Sequence, residues 1–149
     1  MKKSKLMRVI AIVLAVATFL PVFGNARSVE GVEPRANTHI ENDYAEVRPM
    51  GGGKIRAYYW VDGVGSMTDI GAETVQIYES TDGTNWTWKK SFRYINMPEL
   101  MGHGVDEYEY TLEYQGVAGR YYKAHVTLLA RDADGQETRI YFTAQTRAT

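Results

Sequence analysis

The sequence predicts an all-β chain folded as one antiparallel β-sandwich of about seven strands. Three observations carry this. Glu107 to Tyr114 alternates without a fault, setting Tyr108, Tyr110, Leu112 and Tyr114 on one face and Glu107, Glu109, Thr111 and Glu113 on the other, the pattern of a strand buried on one side. Beyond the apolar N-terminal run, no stretch sustains the three-and-four apolar spacing of a helix. Asp82-Gly83 and Asp134-Gly135 fall between adjacent strand candidates, where a turn needs a residue that takes positive φ freely. Short strands without crossover helices favour an antiparallel sandwich over a parallel sheet.

Residues 1–26 carry the three parts of a secretory signal peptide. Lys2, Lys3, Lys5 and Arg8 form a basic start, Val9 to Phe23 an apolar run, and Gly24, Asn25 and Ala26 a small-residue site, so cleavage is expected after Ala26. The apolar run falls short of the roughly 20 residues that span a bilayer, and no stable membrane insertion is expected after cleavage. Residues 27–37 are polar and without periodicity, and read as a disordered spacer. The domain is then 38–149.

Cleavage removes four of 17 basic residues and none of the 18 acidic ones, leaving 123 residues with a net charge of −5. An acidic domain gains nothing from counterion release on nucleic acid, so no nucleic-acid partner is expected. It also lacks a polybasic patch for an anionic membrane. With no cysteine, an extracellular fold must stand on its apolar core alone.

The strands follow in order. Thr38 to Arg48 supplies the first. Lys54 to Asp62 turns Ile55, Ala57, Tyr59 and Val61 inward, and Glu73 to Glu79 turns in Val75 and Ile77. Trp86 to Tyr94 turns in Trp86, Trp88 and Phe92. After the Glu107–Tyr114 strand, Tyr122, Ala124, Val126, Leu128 and Ala130 form the inward row of what reads as the longest strand and a central one. Gln136 to Ala144 closes the chain.

Two resemblances accompany this reading. Gly65 to Ala72 before a strand ending Ile77-Tyr78-Glu79-Ser80, Leu100-Met101-Gly102, Tyr114 to Tyr122 and Ala124 to Thr127 resemble a group of small secreted proteins of gut Firmicutes that share a domain of unknown function. That resemblance implies secretion and fold, and brings no activity. Tyr122, Val126, Ala130 and Gly135 resemble the penultimate strand of fibronectin type III domains, which implies an immunoglobulin-like sandwich. The Tyr122-to-Ala130 spacing is longer than in that family, and the proline usual before the strand is missing.

Candidate chemistry is sparse. His39, His103 and His125 lie in separate segments without paired spacing, so no metal site is expected. His125 is expected outward, beside glutamates of a neighbouring strand. Asp132-Ala-Asp134-Gly135-Gln-Glu137 opens like a calcium loop but lacks the third acidic position and the distal glutamate, and reads as a hairpin turn. Ser80 to Trp86 resembles the aspartate-box hairpin of sialidase propellers, one residue short, and also reads as a turn. Neither Ser66 nor Ser80 sits in a nucleophile elbow. Glu107, Glu109 and Glu113 share one strand face that reads as solvated, without the protonated partner acid chemistry needs. No enzyme and no cofactor is expected.

Eleven tyrosines and three tryptophans exceed what so small a core can place. Tyr58, Trp60, Tyr78, Tyr121 and Tyr141 alternate with the inward rows and are expected on outer faces. Exposed rings can stack on sugars or anchor a partner. Tyr78 with Tyr121 on neighbouring strands is the preferred binding pair, and Tyr58 with Trp60 the second. The sequence thus reads as a secreted, noncatalytic binding module for a glycan or cell-envelope component. The alternative is a secreted antagonistic or structural factor, bacteriocin-like, acting on other bacteria.

Overall fold

A computed structural model describes residues 39–149. The expected signal peptide (1–26) and spacer (27–37) lie outside the described residues. The strands are β1 (Ile40–Gly51), β2 (Lys54–Met67), β3 (Asp69–Ser80), β4 (Thr87–Arg93), β5 (Met101–Gly102), β6 (Val105–Gln115), β7 (Tyr121–Arg131), β8 (Gln136–Phe142) and β9 (Thr146–Arg147), with one 3-10 turn at Pro98–Leu100. One sheet has the order β1-β2-β6. The other has the order β4-β3-β7-β8, with β5 added to β3 and β9 to β7. Every pairing is antiparallel.

The two sheets pack face to face as a sandwich because the inner strands β2, β3 and β7, helped by β1 and β6, bury apolar residues on the faces they turn to each other. From β2 come Ile55, Ala57, Tyr59 and Val61, from β3 Val75 and Ile77, from β6 Leu112, and from β7 Tyr122, Ala124, Val126, Leu128 and Ala130. Tyr108, Tyr110 and Tyr114 are half-buried against that core. β2 and β3 lie in different sheets, and β3 neighbours β7, as the fibronectin type III resemblance implies.

Four details depart from the sequence reading. β7 is central but not the longest: it has 11 residues against 14 in β2. β2 runs past the expected end at Asp62, with Gly63-Val64-Gly65 taken up in a register shift before Met67 pairs with Val105. Trp86 and Trp88 do not face inward. Ile77 pairs with Lys90 and Tyr78 with Trp88, so Lys89 is one extra residue in β4, and that bulge turns Trp88 to the outer face while Phe92 stays opposite Val75. Tyr141, expected outside, lies opposite Val126 and is half-buried against the core.

The β3–β4 turn is built by its carboxylate. Asp82 Oδ1 accepts the backbone N–H of Thr84 and of Asn85, each at 2.8 Å, and the Asn85 amide donates to Oδ2 at 2.7 Å. Donation from Asn85 and Thr84 holds the Asp82 carboxyl well below its ordinary range. Gly83 takes φ +76° in this turn.

The same end of the sheet is fixed by Tyr122, a fully buried ring opposite Glu79. Its hydroxyl donates to Glu79 Oε2 at 2.5 Å and accepts the N–H of Val117 at 2.8 Å. This resembles the tyrosine corner of immunoglobulin-like sandwiches, where a hydroxyl bonds back to backbone a few residues upstream. Gly116 is required here, since a Cβ would lie 2.6 Å from the Tyr122 hydroxyl. Glu79 Oε1 takes Arg120 Nη1 at 3.1 Å and Lys89 Nζ at 3.5 Å. Burial pushes the Glu79 carboxyl up, but the Tyr122 hydroxyl and these cations outweigh it and hold it below its ordinary value.

Candidate functional site

The cross-strand register of β4-β3-β7-β8 decides which side chains share the outer face of that sheet. Trp88 is opposite Tyr78, and Tyr78 is opposite Lys123. Tyr121 is opposite Ser80, one step along. Gln76 is opposite His125, which is opposite Phe142, and Thr127 is opposite Ile140. Residues directly opposite project from the same face, so Trp88, Tyr78, Tyr121, Lys123, His125, Phe142 and Ile140 share one surface.

Ring contacts join part of this surface into a row. Tyr78 meets His125 edge-on with centroids 5.3 Å apart, and His125 meets Phe142 at 3.8 Å. Tyr78 and His125 are half-buried in the middle. At the two ends Trp88 is 55% exposed and Phe142 64%, with Ile140 beside it at 63%. The inner rings therefore support, and the outer ones present area to a partner. Tyr78 and Tyr121, the preferred pair from the sequence, lie on this same face. Tyr78 packs toward His125, and the ring of Tyr121 carries Arg147 at 5.7 Å.

Cations border the rings. Lys123 Nζ sits 4.4 Å from the centre of the Trp86 ring, whereas Lys90, 4.8 Å from the Phe92 ring, belongs with Phe92 to the inward row of β4. Burial, with Lys123 adding to it, pushes the His125 imidazole below its ordinary pKa, which favours the neutral ring at pH 7. His125 thus has aromatic neighbours, not the glutamates expected of it. The sequence reading missed Trp88 as a surface ring, His125 as an aromatic partner, and Phe142 and Ile140 altogether.

Tyr58 and Trp60 are on the other side of the molecule, on the outer face of β1-β2-β6. Trp60 is flanked by Tyr44 of β1 and Glu109 of β6. The Tyr58 hydroxyl donates to Glu109 Oε2 at 2.7 Å, and that bond together with partial burial pushes the phenol up to about 12. Trp60, Glu107, Tyr108 and Glu109 line an open recess of about 410 Å³. The two aromatic pairs proposed from the sequence, Tyr78 with Tyr121 and Tyr58 with Trp60, are thus on two separate surfaces, the opposite outer faces of the sandwich.

The remaining polar motifs are taken up in the fold. Asp132 Oδ1 accepts the N–H of Asp134 at 2.8 Å and of Gly135 at 3.1 Å, closing the β7–β8 hairpin, and lies 3.2 Å from His39 Nε2. Glu137 Oε2 accepts the N–H groups of His39 and Ile40, each at 3.0 Å, and Oε1 accepts Arg139 Nε at 2.9 Å. Asp69 takes His103 Nδ1 at 2.7 Å and Arg131 Nε at 2.9 Å. Among the described residues, no group of three or more histidines and carboxylates is arranged to hold a metal ion.

No protein-family model matches the chain, and no curated protein is similar to it.

Proposed function

We propose that this chain is an exported, noncatalytic binding module that engages a glycan or another cell-envelope component through the outer face of β4-β3-β7-β8. The single observation behind the reading is the row Trp88, Tyr78, His125 and Phe142, with two large rings exposed at its ends and two half-buried rings between them. A folded sheet gains nothing in stability from leaving such area in water. Rings that stack on the apolar face of a sugar repay it only when a partner arrives. Lys123 beside the row suits a polymer carrying negative charge.

Export by cleavage after Ala26 belongs to the same proposal and is tested by the mass of the protein in the medium. An intact Met1 there would refute it. Binding is tested by applying the exported protein to a glycan array and to washed cell-envelope fractions. Saturable retention supports the reading, whereas uniform lack of retention of folded protein removes it.

A further inference from the structure

The two outer faces of the sandwich divide the charge of an acidic chain unequally. Glu46, Asp62, Glu107, Glu109 and Glu113 lie outward on β1-β2-β6, outnumbering Arg48, Lys54 and Arg56 beside them. On β4-β3-β7-β8 the outward positions around Trp88, Tyr78, Lys123, His125 and Phe142 hold Gln76, Ser80, Ser91, Tyr121, Thr127 and Ile140, none of them a carboxylate. Glu79 faces inward to the Tyr122 hydroxyl, and Glu73 is five residues from Tyr78 along β3, roughly 16 Å. The cations of this face are Lys123 in its middle and Arg147 over the Tyr121 ring. Among the described residues, neither forms an ion pair. Packed sheets lie about 10 Å apart, so the acidic outer face is farther from Lys123 than the screening length of about 8 Å at physiological salt. A partner at this face meets the local cations, not the net charge of the chain.

The register also sets a length. Trp88 is on the line Trp88, Tyr78, Lys123, and Phe142 is on the line Gln76, His125, Phe142. These lines are two residues apart along the strands, roughly 7 Å, and β4 and β8 are three ladder steps apart, roughly 14 Å, which puts the two exposed rings roughly 16 Å from each other. A single sugar covers one ring and leaves the other in water. A chain of several sugars crosses both and passes Lys123, while Gln76, Ser91, Thr127 and the Trp88 indole N–H supply donors and acceptors to its hydroxyls. A nucleic acid presents a phosphate at every nucleotide and is held by a groove of matching positive charge. One lysine and one arginine do not make such a groove.

We infer that the ligand of this face is an extended anionic glycan, several sugars long, that stacks on Trp88 and Phe142 and sets a negative group against Lys123. The inference rests on the proposed reading of this face and adds the ligand's charge and length. A uronic acid carboxylate and a wall-polymer phosphate share the required chemistry.

The test is calorimetric titration of the wild-type protein at pH 7 with hexagalacturonate, its full methyl ester, monomeric galacturonic acid, a glucosylated poly(ribitol phosphate) and oligo(dT). The expected result is saturable binding of one or both anionic glycopolymers, the tighter one naming the source, with the monomer and oligo(dT) unbound. Lys123→Gln, at the surface, is expected to keep the fold and weaken that binding about fivefold, the upper range for one exposed charge pair. Raising sodium chloride to about 0.5 M should weaken the wild type toward the variant. The methyl ester binding as tightly as hexagalacturonate, full affinity in folded Lys123→Gln, tighter binding of oligo(dT), or retention of neutral glycans alone on the array would each overturn this inference and leave the proposed binding face standing. Lack of retention on every glycan and envelope fraction removes that face as well.

Discussion

Trp88 stands directly across the β3–β4 ladder from Tyr78, because Lys89 is an extra residue that turns the strand over between Lys90 and Trp88. Without that bulge, Trp88 would continue the row of Lys90 and Phe92 and face the core. The bulge thus moves a large ring from one side of the sheet to the other.

This register makes a stability prediction. Trp88→Ala is expected to change unfolding free energy by no more than about 0.5 kcal/mol, as surface substitutions do. Phe92→Ala removes a ring half-buried against the core and is expected to cost about 1–3 kcal/mol, less than the range for full burial. Denaturant unfolding of both variants checks it. A larger loss at Trp88 than at Phe92 would place the bulge elsewhere.

The centre of the core is tested at Leu128, fully buried on β7. Leu128→Ala is expected to cost about 2–5 kcal/mol. A change of about 0.5 kcal/mol or less, typical of a surface site, would show the inward row to be misassigned.

Tyr122→Phe keeps the ring and removes the hydroxyl that bridges Glu79 and the Val117 N–H. Glu79 is then left short of a hydrogen bond in a buried place and the Val117 N–H in a partly buried one, at an expected cost of about 1–3 kcal/mol. Thermal unfolding reads this directly. Wild-type stability in this variant would mean that the bridge contributes nothing to holding the β6–β7 connection.

Glu137 gives the fold a pH dependence. Burial raises its pKa, but the N–H groups of Ile40 and His39 and the Arg139 guanidinium overcome this and bring it down to about 2 from an ordinary 4.5. Because the folded value is the lower one, the contribution is complete above about pH 4.5 and is lost as pH falls toward 2. Glu137→Gln is therefore expected to lower stability at pH 7 and to flatten the decline between pH 4.5 and 2. Equal acid sensitivity in variant and wild type, by denaturant titration across that range, would contradict it.

Most of the fold is legible in the sequence wherever alternation runs unbroken, as in Ile55 to Val61, Tyr108 to Tyr114 and Tyr122 to Ala130. What failed was parity. A one-residue bulge leaves no mark in composition, so Trp88 keeps an inward-looking pattern while facing out. Phe142 was within reach. The turn spans Asp132 to Gly135 and sets Arg131 opposite Gln136, and counting outward from that pair puts Tyr141 opposite Val126 and Phe142 opposite His125. The aromatic row itself is a property of four strands distant in sequence, so no local pattern announces it.

The outer-face claim is tested most directly by Trp88→Ala combined with Phe142→Ala, measured for affinity toward whichever glycan or envelope fraction retains the wild-type protein. Both rings are exposed, so the double variant is expected to fold as wild type and to bind about tenfold more weakly or not at all. Tyr78→Ala with Tyr121→Ala, on the same face, is expected to weaken binding as well. Undiminished affinity in the folded Trp88/Phe142 double variant would contradict the assignment of this face as the binding surface.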